Sequence, residues 1–225
     1  MRLFAAVWPP DDVLDHLDLA LAGMRGGPSG RSATFRWSAR ETWHLTAAFY
    51  GELPDGSVPA LVAALTDEVG SLAPYELALH GAGLFSHRTL WVGVGGQVDE
   101  QRRLNAACVR AGDEAGAWRD ERVRDRPHLT VARVRPGSGP PRRRSSTAST
   151  APAGRRASAS QEEPAAAFVR AMSVYDGPSW TVDSIVLVES RPGEGRGGGP
   201  LYTVLEQVPL RGDGADEADG ADAVS

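Results

Sequence analysis

No lysine occurs in this chain: all 24 of its cationic residues are arginine, the usage a GC-rich coding bias produces. Acidic residues outnumber them, and the net charge is −5 at pH 7. That balance excludes a protein that holds long nucleic acid through overall charge, although not a local basic cleft. Cysteine is almost absent. The single Cys108 excludes an internal disulfide and any cysteine-based zinc site. It fits a reducing compartment and a buried helix thiol. No apolar stretch is long enough to cross a bilayer, and Met1-Arg2-Leu3-Phe4 leads straight into a strand pattern ended by Pro9-Pro10. A soluble, cytoplasmic, non-membrane protein is expected. Also missing are a metal-ligand cluster and any Ser-His-Asp or Cys-His arrangement, so the expectation is no metal, no cofactor and no covalent catalysis.

What is present is a repeated triplet. His44-Leu45-Thr46 lies in the apolar run Trp43 to Tyr50, and His128-Leu129-Thr130 in the run up to Val134. With five His and ten Thr in 225 residues, chance alone supplies about a fifth of one His-x-Thr triplet. Two occur, both with leucine between and both in strand-like surroundings.

Around them the chain reads as an alternation of elements. A strand over 2–8 precedes a helix capped by Asp11 or Asp12 that runs to about 24, with Val13, Leu14, Leu17 and Leu21 on one face. Strands follow at 35–37 and 42–50, then a helix at 58–72. Strands are expected at 75–80 and 89–94, with a short segment near Leu84-Phe85 between them, then a helix from 98 to about 117 and the second motif strand at 128–134. Residues 136–164 are rich in Pro, Gly, Ser, Ala and Arg and poor in large apolar residues, which predicts a disordered insert. A helix at 165–174, a strand at 180–189, a turn at 193–200 and a strand at 201–208 complete the fold before an acidic tail at 212–225. One motif strand falls in each half. The expected class is α+β: residues 1–211 as one bilobal domain, two pseudo-symmetric lobes of mostly antiparallel sheet with outer helices.

On a strand, residues i and i+2 share a face roughly 7 Å apart, so His44 and Thr46 project together, as do His128 and Thr130, with Leu45 and Leu129 turned to the core. If the lobes face each other, two imidazoles and two hydroxyls meet across a cleft. Imidazole titrates near neutrality and serves as base or acid, while threonine hydroxyls can donate to anionic oxygens. Arg133 is suited to clamp the same anion, but strand parity from His128 points it to the opposite face unless a bulge or the strand end turns it. Such a site suggests chemistry on a phosphodiester that carries its own nucleophile or a strained ring.

These residues resemble the 2H phosphoesterase superfamily, and within it the RNA 2′,3′-cyclic phosphodiesterase, or 2′-5′ RNA ligase-like, group. The resemblance is carried by Arg2 to Val7, Arg36-Trp37, Trp43 to Thr46 with Phe49 to Glu52, Leu90 to Val94, Arg126 to Arg133, Val186 to Ser190 and Tyr202. Ala47 and Tyr50 depart slightly from the usual first motif, and the 136–164 insert is longer than usual. The resemblance implies a cleft between two lobes and hydrolysis of a 2′,3′-cyclic phosphate on RNA ends or nucleotides to a 2′-phosphomonoester. It implies His44 as proton donor, His128 as proton acceptor, and Thr46, Thr130 and Arg133 on the phosphate. With a 5′-hydroxyl in place of water the same site implies 2′-5′ ligation. Trp37, Phe49 and Tyr50 are the candidates for stacking on a base. Competing readings are a related enzyme acting on an ADP-ribose-derived cyclic phosphate and a nucleotide-binding module without turnover. A monomer is expected. His16, His80 and His87 are read as solvated or turn residues, and the arginines of the insert as a solvated loop.

Overall fold

The computed structural model describes residues 1–26, 34–118, 126–135 and 164–212. The expected insert at 136–164 (apart from Pro164) and the tail beyond Gly212 lie outside the described residues. Nine strands form one sheet: β1 (Arg2–Val7), β2 (Phe35–Trp37), β3 (Leu45–Glu52), β4 (Tyr75–Phe85), β5 (Thr89–Gly96), β6 (His128–Val134), β7 (Asp176–Val182), β8 (Ser184–Arg191) and β9 (Leu201–Pro209). The order is β7-β4-β5-β6-β3-β1-β8-β9, with β2 paired to β6. Every pairing is antiparallel.

This sheet has two four-stranded halves, β6-β5-β4-β7 and β3-β1-β8-β9, each with a motif strand at its inner edge. They meet at the single pair Leu45↔Leu129. Four helices, α1 (Asp11–Gly26), α2 (Val58–Gly70), α3 (Val98–Glu114) and α4 (Pro164–Met172), cover one face. Their assignment is crossed. Helix α1 follows β1 yet packs on β7, and α3 follows β5 yet packs on β3 and α2. Each half thus receives a helix from the other, which ties the two together. The expected apolar face of α1, Val13, Leu14, Leu17 and Leu21, is buried, and Asp11-Asp12 at its start and Arg25 at its end complement the helix dipole. Leu45 and Leu129 are buried in the main core. Full burial of each contributes about 1.5–3 kcal/mol.

The expected strand at 180–189 is two strands. Strand β7 is at one end of the order and β8 is next to the other end, yet the two are joined by Asp183 alone. One residue can bridge them only if the sheet curls until its ends approach. The pattern carried this signal: Trp180 and Val182 are buried on even positions, Ile185 and Leu187 on odd ones, a change of phase at Asp183. Pro178 is tolerated because β7 is an edge strand. Strand β4 runs unbroken through 75–85 where a strand and a separate segment were expected, and α3 ends at Glu114 rather than near 117.

Tyr50 belongs to the core. It is 2% exposed, its hydroxyl donates to the Cys108 carbonyl (3.1 Å), and a side chain at Gly112 would collide with its ring. Cys108 is fully buried in α3, as its helix pattern predicts. The neighbouring polar groups of α3 are satisfied: Tyr75 donates to Gln101 Oε1 at 2.9 Å, and Gln101 Nε2 donates to Asn105 Oδ1 at 2.8 Å.

Candidate active site

The pair Leu45↔Leu129 sets the geometry of the site. In an antiparallel pair, carrying that register one residue either way sets His44 opposite Thr130 and Thr46 opposite His128. With the two leucines turned to the core, the four polar side chains face the other way, and all four line one groove of about 1130 Å³. Each histidine therefore lies across from the other motif's threonine, related by a local twofold at the leucine pair.

Both imidazoles are held by the same local device. His44 Nδ1 lies 2.9 Å from the Thr42 carbonyl and His128 Nδ1 lies 2.9 Å from the Arg126 carbonyl, two residues upstream in each case. A carbonyl only accepts, so Nδ1 carries the hydrogen in both rings, and Nε2 is the nitrogen that faces neither carbonyl. His44 Nε2 lies 3.1 Å from Thr46 Oγ1. In the neutral ring the hydroxyl donates to Nε2. In the imidazolium the nitrogen donates, which frees the hydroxyl hydrogen for another acceptor.

Strand parity pointed Arg133 away, and a bulge reverses it. Leu90 pairs with Ala132 while Trp91 pairs with Thr130, so Val131 is an extra residue in β6. Val131 and Ala132 are both buried, and Arg133 returns to the face of His128 and Thr130, where it lines the groove. The first motif repeats the device. Ala5 pairs with Ala48 and Ala6 with Thr46, so Ala47 is extra, and Phe49 returns to the groove side. Phe49 thus occupies in β3 the position Arg133 holds in β6.

Aromatic rings bracket each imidazole. Phe4, Trp8 and Tyr202 lie 4.9, 5.2 and 5.4 Å from His44 between ring centroids. Phe85 meets His128 edge-on at 4.8 Å, and Trp91 lies at 6.1 Å. Burial raises the Tyr202 phenol above its ordinary value, with the charges of Arg133 and Arg2 pulling it back. Of the stacking candidates, Trp37 lines the groove. Phe49 lies beside Phe4 and Tyr202, meets Trp118 edge-on at 6.3 Å and carries the Arg2 guanidinium 4.9 Å over its ring. Tyr50 is corrected: the bulge at Ala47 shifts it to the core face, and it reaches no ligand. Phe4, Trp8, Phe85, Trp91 and Tyr202 were not singled out as site residues. Their spacing from the histidines in sequence gives no hint, because strand pairing alone brings them in.

The groove is cationic despite the acidic chain. Six arginines line it, at 25, 36, 40, 133, 135 and 196, against the carboxylates of Asp18 and Glu41. Arg25 pairs with Asp18 at 2.5 Å, and Arg40 with Asp15 at 2.6 Å and Asp11 at 3.0 Å. The opposite wall is a glycine-rich turn at 193–199, fastened by Arg36 Nη2 donating to the Gly197 carbonyl at 3.1 Å. Among the described residues no group of three His, Cys, Asp or Glu side chains is arranged to hold a metal, and no helix is long and apolar enough to cross a membrane.

Two imidazoles, two hydroxyls and a guanidinium line one groove of a curled antiparallel sheet, groups able to exchange protons and to donate to an anion. The family model of the 2′-5′ RNA ligase superfamily matches residues 10–145, and the chain belongs to this superfamily, the 2H phosphoesterases. A Thermus thermophilus protein named RNA 2′,3′-cyclic phosphodiesterase is 31% identical over 98% of this chain and 96% of its own length. A Geobacillus stearothermophilus protein of the same name is 34% identical over 51% of this chain, and the match spans only 37% of that relative's length. The crystal structure of Escherichia coli LigT complexed with 3′-AMP shares the fold, with a TM-score of 0.63 at 21% identity over 93% of this chain and 97% of that one.

Proposed function

We propose that this chain is an RNA 2′,3′-cyclic phosphodiesterase, which opens the cyclic phosphate at RNA or nucleotide ends to a 2′-phosphomonoester by two-histidine acid–base chemistry that needs no metal. The observation that carries the reading is the crossed arrangement of the two His-x-Thr strands on one cationic groove, with both Nδ1 atoms donating to carbonyls. The names of the relatives agree with it.

His128 Nε2 accepts a proton from water as the water oxygen bonds to phosphorus. The P–O3′ bond breaks, and the His44 imidazolium gives its Nε2 proton to O3′. Thr46, Thr130 and Arg133 donate to the non-bridging oxygens, whose charge grows in the transition state. When His44 is protonated its Nε2 donates, so the Thr46 hydroxyl hydrogen turns to the phosphate. A 5′-hydroxyl in place of water gives a 2′-5′ bond by the same steps, which is the ligase reading. Residues 1–211 act as one bilobal unit, as a monomer in the cytoplasm.

The test is turnover of adenosine 2′,3′-cyclic phosphate in EDTA, with the product read by phosphorus NMR. Adenosine 2′-phosphate is expected. A 3′-phosphate product, or loss of turnover in EDTA, would overturn the scheme. Faster turnover of an ADP-ribose-derived cyclic phosphate in the same panel would move the assignment to that substrate.

A further inference from the structure

Arg25 and Arg40 are neutralised by aspartates, but Arg36, Arg133, Arg135 and Arg196 have no carboxylate partner among the described residues. Arg36 and Arg133 stand directly opposite each other on β2 and β6. Like charges in that position destabilise an antiparallel pair. Only Arg133 is a near neighbour of the reacting groups along its strand. Arg135 lies one further two-residue step out, roughly 7 Å along the strand. Arg36 reaches across to Gly197, and Arg196 stands beside that glycine in the facing wall. Arg36 is thus level with Arg133 on the neighbouring strand, Arg135 stands a step further out, and Arg196 faces them from the turn, so the three line the groove beside and beyond Arg133.

We propose that Arg36, Arg135 and Arg196 form a second phosphate subsite, which takes the phosphate on O5′ of the terminal nucleotide. This rests on the two-histidine reading above. With the reacting phosphate on O2′ and O3′, O5′ is the remaining phosphate-bearing position of that nucleotide. In an RNA chain O5′ always carries one. The subsite therefore selects chain ends over free nucleosides. A guanidinium offers paired donors suited to phosphate, and an anion bound among the three offsets the repulsion that their proximity creates.

The experiment compares binding and turnover. Calorimetry measures adenosine 2′-phosphate, adenosine 2′,5′-bisphosphate and a diadenosine product ending in a 2′-phosphate. Kinetics uses the matching cyclic phosphates. In the wild type the 5′-phosphate should tighten binding and lower KM about tenfold, close to one good charge-assisted contact. The dinucleotide should gain similarly. The double variant Arg135→Gln/Arg196→Gln should lose most of this gain and flatten the salt dependence, with kcat/KM for the 5′-hydroxyl substrate within about twofold of wild type. Arg36→Lys should keep more of the gain than Arg36→Gln. Equal affinity for all three ligands in the wild type, or equal losses on all three in the variants, would overturn the subsite. A gain from 5′-monophosphate but none from the dinucleotide would overturn the preference for chains. The binding arm reads the subsite without turnover, so a wild type that binds with discrimination but hydrolyses nothing refutes the two-histidine reading alone.

Discussion

In the β6 half of the sheet a bulge after the motif returns Arg133 to the groove, whereas in the β3 half the same bulge returns Phe49. The backbone device is common to the two halves: a histidine tied to the carbonyl two residues upstream, a threonine two residues on, then one extra residue. The chemistry at the fifth position is not. One half offers a guanidinium and the other an aromatic ring capped by Arg2. Among the described residues the surroundings follow the same division, with Phe4, Trp8 and Tyr202 around His44 and Phe85 and Trp91 at His128. Near-symmetric backbone thus carries asymmetric side chains, which suits the proposed reaction with its distinct attacking and leaving oxygens.

The largest effect tests the common part. On the proposed two-histidine scheme, His44→Gln and His128→Gln should each lower kcat by about 10²–10⁴-fold, and the double variant should be little worse than either, as for residues that act as a unit. Undiminished turnover in either single variant would refute the pairing. Next comes the asymmetry. Arg133→Ala should lower kcat/KM by about 10²-fold while Phe49→Ala costs only a few-fold. Comparable losses at the two positions would mean that the bulges deliver equivalent functions.

A weaker and different test concerns α3, which draws side chains from both halves. Burial pushes the Cys108 thiol up from 9.0 to about 12, and raises the Tyr50 and Tyr75 phenols as well. These groups stay protonated in the folded state but ionise in the unfolded chain. Their contribution is complete below about pH 9 and lost as pH climbs from 9 through 12. Urea midpoints should fall over that range, and Cys108→Ala should remove the earliest part of the fall. A flat midpoint from pH 8 to 11 would refute the assignment. The smallest effect lies in the turn beyond Phe85, where Ser86 and His87 both have positive φ, 49° and 54°. Replacing them with Asn-Gly, the pair this turn favours, should stabilise the fold by about 0.5–1 kcal/mol and leave turnover unchanged.

Much of this was legible before the fold. The paired triplets named His44, Thr46, His128 and Thr130, because residues two apart must share a strand face and a leucine between them must face the core. Arg133 was not legible by parity, since a bulge adds a residue without changing the composition around it. Tyr50 was misjudged for the same reason. The change of phase between Val182 and Ile185 was readable, but one continuous apolar stretch hid it. The aromatic bracket could not be read at all. Phe4, Trp8 and Tyr202 reach His44 through the β1–β3 and β1–β8–β9 pairings, which bring together residues as far apart as 4 and 202.

By itself, then, the sequence determined the candidate groups and the local geometry of each pair, because strand alternation is a property of the backbone and needs no partner. It also placed an imidazole and a hydroxyl together in each pair, groups suited to acid–base work. Only the tertiary structure decided that the two pairs cross, that Arg133 faces them while Phe49 takes the equivalent place, and that an acidic chain has a cationic groove. Those features depend on register, on single-residue bulges and on the crossing of helices between halves. Each is a choice among pairings of similar local energy, settled by packing over the whole sheet.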